Sequence, residues 1–450
     1  MRADENELLT RVGPGTPMGE LMRHYWLPVA AAHELVAGGD PVRLRLLGED
    51  FLGFRSPDGT VGIVDHLCAH RCASLFYGRN EEGGIRCVYH GWKFAPDGQC
   101  IAMPSEPPET DYKERVKIRA AQVVERYGVI WAYIGPRDMP PPLPHFDLDL
   151  VPEGELSTLF LFRECNWLQA LEGDIDTCHV GFLHMGGVGP DRFEPGSLNY
   201  YRQLPENLAP KYEALETPCG TSYVASRHAG LDDNYHRIGH FAMPCWTMSP
   251  SDPLGYIRAR CWLPVDDEHS MLIVIMGRRP EFTGKDGKGK TIPGLASPIQ
   301  YLPNTSDWNG RFRIANNRSN DHLIDRTLQR DGSYSGIHAI PVQDQAITES
   351  MGPIADRTRE HLGTSDRMIM LTRRRLMRAA LALKEQGAVP PGVEDGEVYR
   401  FTRAGYVVLP KGRDWLAEYN SRRAEWSGGD AAAIERIDRR PTTARASEPA

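Results

Sequence analysis

Cys68-Ala69-His70-Arg71 and Cys87-Val88-Tyr89-His90-Gly91-Trp92 decide how the first third of this 450-residue chain is read. Each segment offers one thiolate and one imidazole, and sixteen residues separate His70 from Cys87. Two loops that each supply a Cys and a His can set both thiolates on one iron and both imidazoles on a second. That is the mixed ligation of a [2Fe–2S] cluster by two Cys and two His. A structural zinc site takes its ligands as C-x2–4-C and H-x3–5-H pairs, a spacing these segments lack. Chance placement of four metal-binding side chains on two loops, next to a Gly-Trp pair, is the weaker alternative. Cys72 follows Cys68 closely and finds no partner cysteine in the second loop, so it is expected to be a free thiol of the core.

The sequence around these loops is strand-like. VRLRLLG (42–48) and DFLGFR (50–55) lead through the turn SPDGT (56–60) to VGIVD (61–65). RCVYHGWKF (86–94), a second Pro-Asp-Gly turn at 96–98 and YGVIWAYIG (127–135) continue the pattern. Short strands punctuated by Gly, Pro and Asp predict a small β-sandwich over residues 41–138, closed by the proline-rich linker Pro136 to Pro144. Residues 1–40 read as helical, with Glu5 to Val12 and Met18 to Trp26 flanking a Gly-Pro break. Downstream, a helix over NWLQALEGDIDTCHVG (166–181) precedes strand candidates at 236–243, 256–263 and 271–277. A long helix from Asp366 to Gln386 follows, capped by Ser365 and ended by Gly387. Strands followed by a long helix predict an α+β domain over 139–420. The tail 421–450, rich in Arg, Ala, Ser and Gly, is expected to be loosely ordered.

A second constellation, Asp176-x2-His179-x4-His184, lies on and just beyond the helical stretch of that domain. On a helix Asp176 and His179 share a face, and Gly181 is expected to let the chain break and swing His184 back. Two histidines with one more distant carboxylate form the facial triad of non-haem Fe(II) oxygenases, whose open positions take dioxygen. For the carboxylate the segment Pro341-Val342-Gln343-Asp344-Gln345 offers Asp344. Alone, acidic and His residues at helical spacing are commonplace surface decoration. Downstream of a cluster motif they gain meaning, because oxygen activation at one iron needs electrons delivered singly. Glu172 and Asp174 are read as packing and supporting groups.

Both motifs together, in this order, resemble the large (α) subunits of the Rieske non-haem iron oxygenases, over nearly the whole chain. The phthalate 4,5-dioxygenase group is the most similar. The residues that carry this are ENELLTRV (5–12), PMGELMRHYW (17–26), GEDFLGFR (48–55), YGRNEEGGIRCVYHGWKF (77–94), CNWLQALEGDIDTCH (165–179) and SMGPIADRTREHLG (350–363). The resemblance implies an N-terminal Rieske β-sandwich and a C-terminal α+β helix-grip catalytic domain. By it, Cys68, His70, Cys87 and His90 bind the Rieske cluster, and His179, His184 and Asp344 bind a mononuclear non-haem Fe(II). Asp176 would bridge a cluster histidine of one subunit to an iron histidine of its neighbour, in a homotrimer or a stack of two trimers. Val88 stands where this family often has Pro, a change expected only to alter loop stiffness. Arg202 and Arg237 are similar in position to the arginines that hold an aromatic carboxylate, though surface ion pairs would place arginines equally well.

The function implied is that of an oxygenase component that cis-dihydroxylates a phthalate-like aromatic carboxylate with O2. O-demethylation of a methoxylated, lignin-derived aromatic acid by the same machinery is the alternative, and a Rieske electron carrier is a remote third. Electrons would come from NAD(P)H through a separate flavin and iron–sulfur reductase, since the chain carries no dinucleotide fingerprint. Lys and Arg number 52 against 60 Asp and Glu, a net charge of −8, which argues against nucleic acid as a general partner. No apolar run is long enough to span a bilayer. The charged start MRADENELLTRVGPG is unlike a secretory signal, so a cytoplasmic address is expected, with nine cysteines as thiols or metal ligands. Gly284 to Thr291 matches the phosphate-binding loop pattern G-x4-G-K-[ST]. Ile292-Pro293-Gly294 follows at once, so no helix N-terminus can face a phosphate there.

Overall fold

Two Pro-Asp-Gly turns shape the first third of the molecule, because the glycine of each must take a left-handed backbone. Gly59 and Gly98 have φ of 93° and 84°, and a Cβ on Gly98 would lie 2.1 Å from the Ile118 carbonyl oxygen. The first turn joins Glu49–Arg55 to Val61–Asp65 in a three-stranded antiparallel sheet with Val42–Leu46. The second joins Lys93–Phe94 to Cys100–Ala102 in a four-stranded sheet with Arg79–Glu81 and Gly84–Arg86. Leu52, Phe54, Val64, Leu75, Ile85 and Phe94 fill a small core between them. This is the sandwich the sequence predicts, with one correction. The run 86–94 is not one strand: Cys87 to Trp92 form a loop between two short strands, since the positive φ of Gly91 ends the extended backbone.

The computed structural model describes residues 1–186, 203–250, 256–277, 292, 294–295 and 298–426. Arg202, the phosphate-loop-like stretch 284–291 and residues 427–450 lie outside them. Within the described residues the domain edges differ from those expected. The predicted helix Met18 to Trp26 is shorter, Pro17–Arg23, and Leu27–Ala31 is a strand that pairs with Val129–Tyr133, which in turn pairs with Gln122–Arg126. That third sheet belongs to the larger hydrophobic core, with Trp131 stacked on Trp246 at 5.5 Å. Residues near 41 and 138 are therefore not clean boundaries. Pro17 at the first position of its helix and Thr16 accepting from Gly19 N–H explain where that helix begins.

Among the described residues, the second half is built on an eight-stranded antiparallel sheet. Its strands run Ser157–Arg163, Ser270–Met276, Arg258–Pro264, Trp246–Met248, Asp233–Ala242, Gly220–Ala229 and Lys211–Thr217, with Gly405–Pro410 also pairing on Asp233–Ala242. The long helix is Arg367–Gln386. Met368, Thr372, Leu376, Ala379 and Ala380 form its buried stripe, and Thr372 hydrogen-bonds Thr221 of the sheet at 2.8 Å. Gly387 ends the helix in the left-handed conformation as predicted, whereas a short turn over Thr364–Asp366 leads into it in place of a Ser365 cap. The final helix Trp415–Trp426 continues past Ser421, where the tail was expected to begin, because Arg423 is buried and lies over the Tyr419 ring. The molecule is α+β, as the pattern implied.

Candidate metal centres

The two cluster loops are twins. Cys68 N–H donates to Ala73 O (2.8 Å) and Cys72 N–H to Cys68 O (2.9 Å). Cys87 N–H donates to Trp92 O (2.8 Å) and Gly91 N–H to Cys87 O (3.0 Å). Closing a loop so tightly requires a left-handed residue at the same place in each, and Cys72 and Gly91 have φ of 55° and 78°. This corrects the expectation for Cys72: it is an exposed turn residue at the rim, not a core thiol. Cys68 and Cys87 are buried facing each other. Burial pushes the Cys68 thiol up to about 11, the N–H groups of His70 and Arg71 aimed at its sulfur pull the other way, and Cys87 adds to the rise.

The His70 and His90 rings meet edge to face at 4.5 Å, and His70 stacks on Trp92, whose indole N–H donates to Ser105. His70 Nδ1 is buried without a hydrogen-bond partner in the protein. Two thiols facing each other, two adjacent imidazoles and an orphaned ring nitrogen suit a [2Fe–2S] group that needs sulfur on one iron and nitrogen on the other.

The second centre depends on a change of helical pitch. Helix Trp167–Ile175 starts at Asn166, whose side chain accepts from Leu168 N–H, and ends where Asp176 turns extended. The chain then makes a wide turn over Val180–His184, with Met185 N–H donating to Val180 O across five residues (3.0 Å). That wider pitch, rather than a break at Gly181, returns His184 to the side of His179. Gly181 serves another purpose: a Cβ there would meet Leu208 at 2.7 Å and the Leu204 carbonyl at 2.9 Å. Asp344 comes from helix Ile340–Ser350.

The structure brings all three residues together. His179 Nε2 and His184 Nε2 are 3.1 Å apart, and Asp344 Oδ1 is 3.5 Å and 3.1 Å from them. Donor atoms about 3 Å apart are the edge of a facial set around an ion with bonds of roughly 2.1 Å. A metal fits this donor set. Burial opposes charge on His179, but Asp176 and Asp344 outweigh it and lift its imidazole to about 10. Against burial, the two histidines hold the Asp344 carboxyl well below the usual carboxylate range. Asp176 Oδ2 stands 3.6 Å from His179 Nδ1, an ion-pair separation, and Asp176 Oδ1 accepts from Cys178 N–H at 2.7 Å. Arg357 and Arg373 clamp Glu172, while Arg260, Thr247 and Trp262 hold Asp174.

Arg237 is buried on strand Asp233–Ala242. The register pairs Arg237 with Ala225 and Tyr235 with Arg227, so alternation puts both arginines on one face of the sheet. Arg227 is 2% exposed; its Nε donates to Asn207 O and its Nη1 is buried without a partner. Burial and the neighbouring Arg237 pull its guanidinium down to about 10. Both cations act on Cys178, beside His179. Arg227 and Gln343 were missed in the sequence, where only strand alternation and adjacency to Asp344 touch on them, and neither signal shows without the register.

A family model described as Rieske [2Fe-2S] domain matches residues 25–124, and one described as LigXa C-terminal domain like matches 132–439. The 3-chlorobenzoate-3,4-dioxygenase oxygenase subunit of Comamonas testosteroni is 46% identical, the match covering 93% of this chain and 98% of that one. The phthalate 4,5-dioxygenase oxygenase subunit of Pseudomonas putida is 34% identical, covering 97% and 98%. Among solved structures, the NdmA QL mutant of Pseudomonas putida CBB5 with theobromine shares the fold at 18% identity and a TM-score of 0.53, covering 88% of this chain and 99% of its own.

Proposed function

The chain belongs to the α (oxygenase) subunits of the Rieske non-haem iron oxygenases, and on that premise we propose that it cis-dihydroxylates an aromatic carboxylate. Electrons come from a separate reductase. On this reading Cys68 and Cys87 hold one iron of the cluster, His70 and His90 the other, and His179, His184 and Asp344 hold the mononuclear iron. Iron bound there would supply the activation of O2, with electrons passed singly from the cluster. The chain's own residues contribute position and charge. Asp344 offsets the charge of the ion, and Asp176 orients His179 from behind.

One observation carries the substrate class: two buried guanidiniums, Arg227 and Arg237, share a sheet face beside the loop of His179. Paired cations in a low-dielectric interior favour an anion, and guanidinium matches carboxylate geometry in two bonds. 3-Chlorobenzoate and phthalate, the substrates in the names of the two relatives above, are both aromatic carboxylates. We therefore assign Arg237 to the substrate carboxylate and retain Arg202 as a second candidate.

Asp176 and His179 line a groove with Leu183, Ile347, Met351 and Leu362, of which the last three are exposed. The cluster loops likewise expose Leu67, Val88 and Tyr89. These apolar rims favour docking of one subunit's cluster loops over the neighbour's groove, in a trimer or a stack of two trimers, so that electrons cross between subunits. No helix among the described residues is long and apolar enough to cross a membrane. With all nine cysteines unpaired, a cytoplasmic setting is consistent.

A single turnover tests the reaction. Reduced protein is given O2 with a mixture of benzoates, phthalates and methoxylated aromatic acids, and products are read by mass spectrometry. A product with two added oxygens and two added hydrogens is expected. Formaldehyde release instead means O-demethylation on the same scaffold, and unchanged acids with iron present would remove the carboxylate assignment.

A further inference from the structure

Gln343 is fully buried one residue before Asp344, and its amide has no freedom to turn. Its Nε2 donates to two carbonyls, Gly294 O and Ile337 O, both at 2.8 Å. A carbonyl can only accept, so both amide hydrogens are committed, and reversing the amide would set its oxygen against two oxygens. Oε1 must then be the atom that faces His184 Nδ1, at 2.6 Å. An amide oxygen can only accept as well. His184 Nδ1 therefore carries the hydrogen, and the neutral ring presents its Nε2 lone pair toward Asp344 and His179.

We infer that Gln343 is a positioning residue of the mononuclear centre: its amide, locked by Gly294 O and Ile337 O, fixes the tautomer and ring orientation of His184 so that Nε2 faces the metal. The inference rests on the reading of His179, His184 and Asp344 as a metal site and deepens it. The two imidazoles are thus supported differently. Behind His179 stands a carboxylate at ion-pair distance, whereas behind His184 stands a neutral amide in a short hydrogen bond. A neutral acceptor adds no charge to that of Asp344 and Asp176, the two carboxylates that act on His179. Gly294 shows how closely the amide is held: its φ is +80°, and a Cβ there would lie 3.0 Å from Gln343 Nε2 and 2.6 Å from Ser333 Oγ.

The experiment is Co(II) binding to the chain that retains its cluster but has been freed of mononuclear metal, followed by optical titration and by thermal unfolding. Wild type should bind one equivalent, and Asp344→Ala should bind none at this site. Gln343→Met keeps the side-chain length but removes the acceptor, and should bind roughly 10–100-fold more weakly with the cluster's visible spectrum unchanged. Gln343→Glu also loses the donors to Gly294 and Ile337, and so is destabilised too. It nevertheless accepts the same hydrogen and adds negative charge, so it should bind as tightly as wild type or more tightly. Affinity equal to wild type in Gln343→Met, or loss in Gln343→Glu that tracks its thermal destabilisation, overturns the inference while the metal site stands. Failure of wild type itself to bind Co(II) overturns both. If Gln343→Met does not fold, a crystal structure of Co(II)-loaded wild type decides: His184 coordinating through Nδ1, or an amide turned away from it, is the overturning result.

Discussion

The cluster loops close on themselves within five residues, at the rim of a small β core, whereas His184 meets its partner Gln343 across 159 positions of chain. In the first region each Cys is tied to its own loop, and the histidines stay partly exposed between apolar side chains. In the second, a wide helical turn, a helix start and a buried amide must all arrive before three donors point at one spot. Local hydrogen bonds build one centre and long-range packing builds the other. The two should therefore fail separately.

Ligand substitutions test that separation most severely. Asp344→Ala should lose the mononuclear iron and keep the visible spectrum of the cluster, lowering iron from about three to about two per two acid-labile sulfides. Cys87→Ser should do the converse, bleaching the cluster while Co(II) still binds the other centre. Loss of both metals from either variant would show that the two regions fold as one unit.

The next largest effect concerns the substrate. Arg237→Met should raise KM for the aromatic carboxylate by about tenfold to a hundredfold, the loss of a charge-assisted hydrogen bond, with iron content intact. Unchanged KM would return Arg237 to a purely structural role.

The twin loops permit a finer comparison. Gly91→Ala forces a Cβ into left-handed backbone and against Pro104, which its Cβ would approach to 2.6 Å, and should cost about 1–3 kcal/mol with a weakened cluster. Cys72→Gly relaxes the matching position of the other loop and should stay within about 1 kcal/mol of wild type. Equal losses in both would contradict the twinning.

The remaining test concerns the large sheet and leaves both metal centres untouched. His240 is buried against Ser222, Tyr419 and the Arg403 carbonyl, and burial depresses its imidazole to about 3. The folded chain refuses a proton that the unfolded chain accepts near pH 6.5. Its contribution to stability is thus complete above about 6.5 and declines as pH falls toward 3. Thermal unfolding between pH 7 and 4 should show a shallower acid decline in His240→Gln, with no shift in the cluster spectrum.

The two tight loops at residues 68–92 were legible, because a Cys and a His two or three positions apart stand out by spacing. The helix before Asp176, the Gly387 stop and strands such as Val42–Leu46, Val61–Asp65 and Ser270–Met276 were legible for the same reason: capping, left-handed turns and alternation act over a few residues, whereas Ser157–Arg163, Lys211–Thr217, Gly220–Ala229 and Gly405–Pro410 were missed. The tail boundary was not legible, since the helix that crosses it is held by contacts distant in sequence, Tyr419 meeting His240 of the sheet. Nor was the return of His184, because a wide turn and an ordinary helix differ by one hydrogen-bond register that composition does not mark.

The short-range signals of the sequence were enough for the two tight Cys-His loops and the α+β order of elements, since each depends on backbone preferences within a short stretch. Only the tertiary structure decided that Gln343 orients His184, that Arg227 joins Arg237 on one face, and that Leu27–Ala31 ties the N-terminus to the larger core. These depend on strand register and helix placement. Register is a collective outcome of packing across the whole sheet, and a shift of one residue would turn Arg227 or Arg237 to the opposite face.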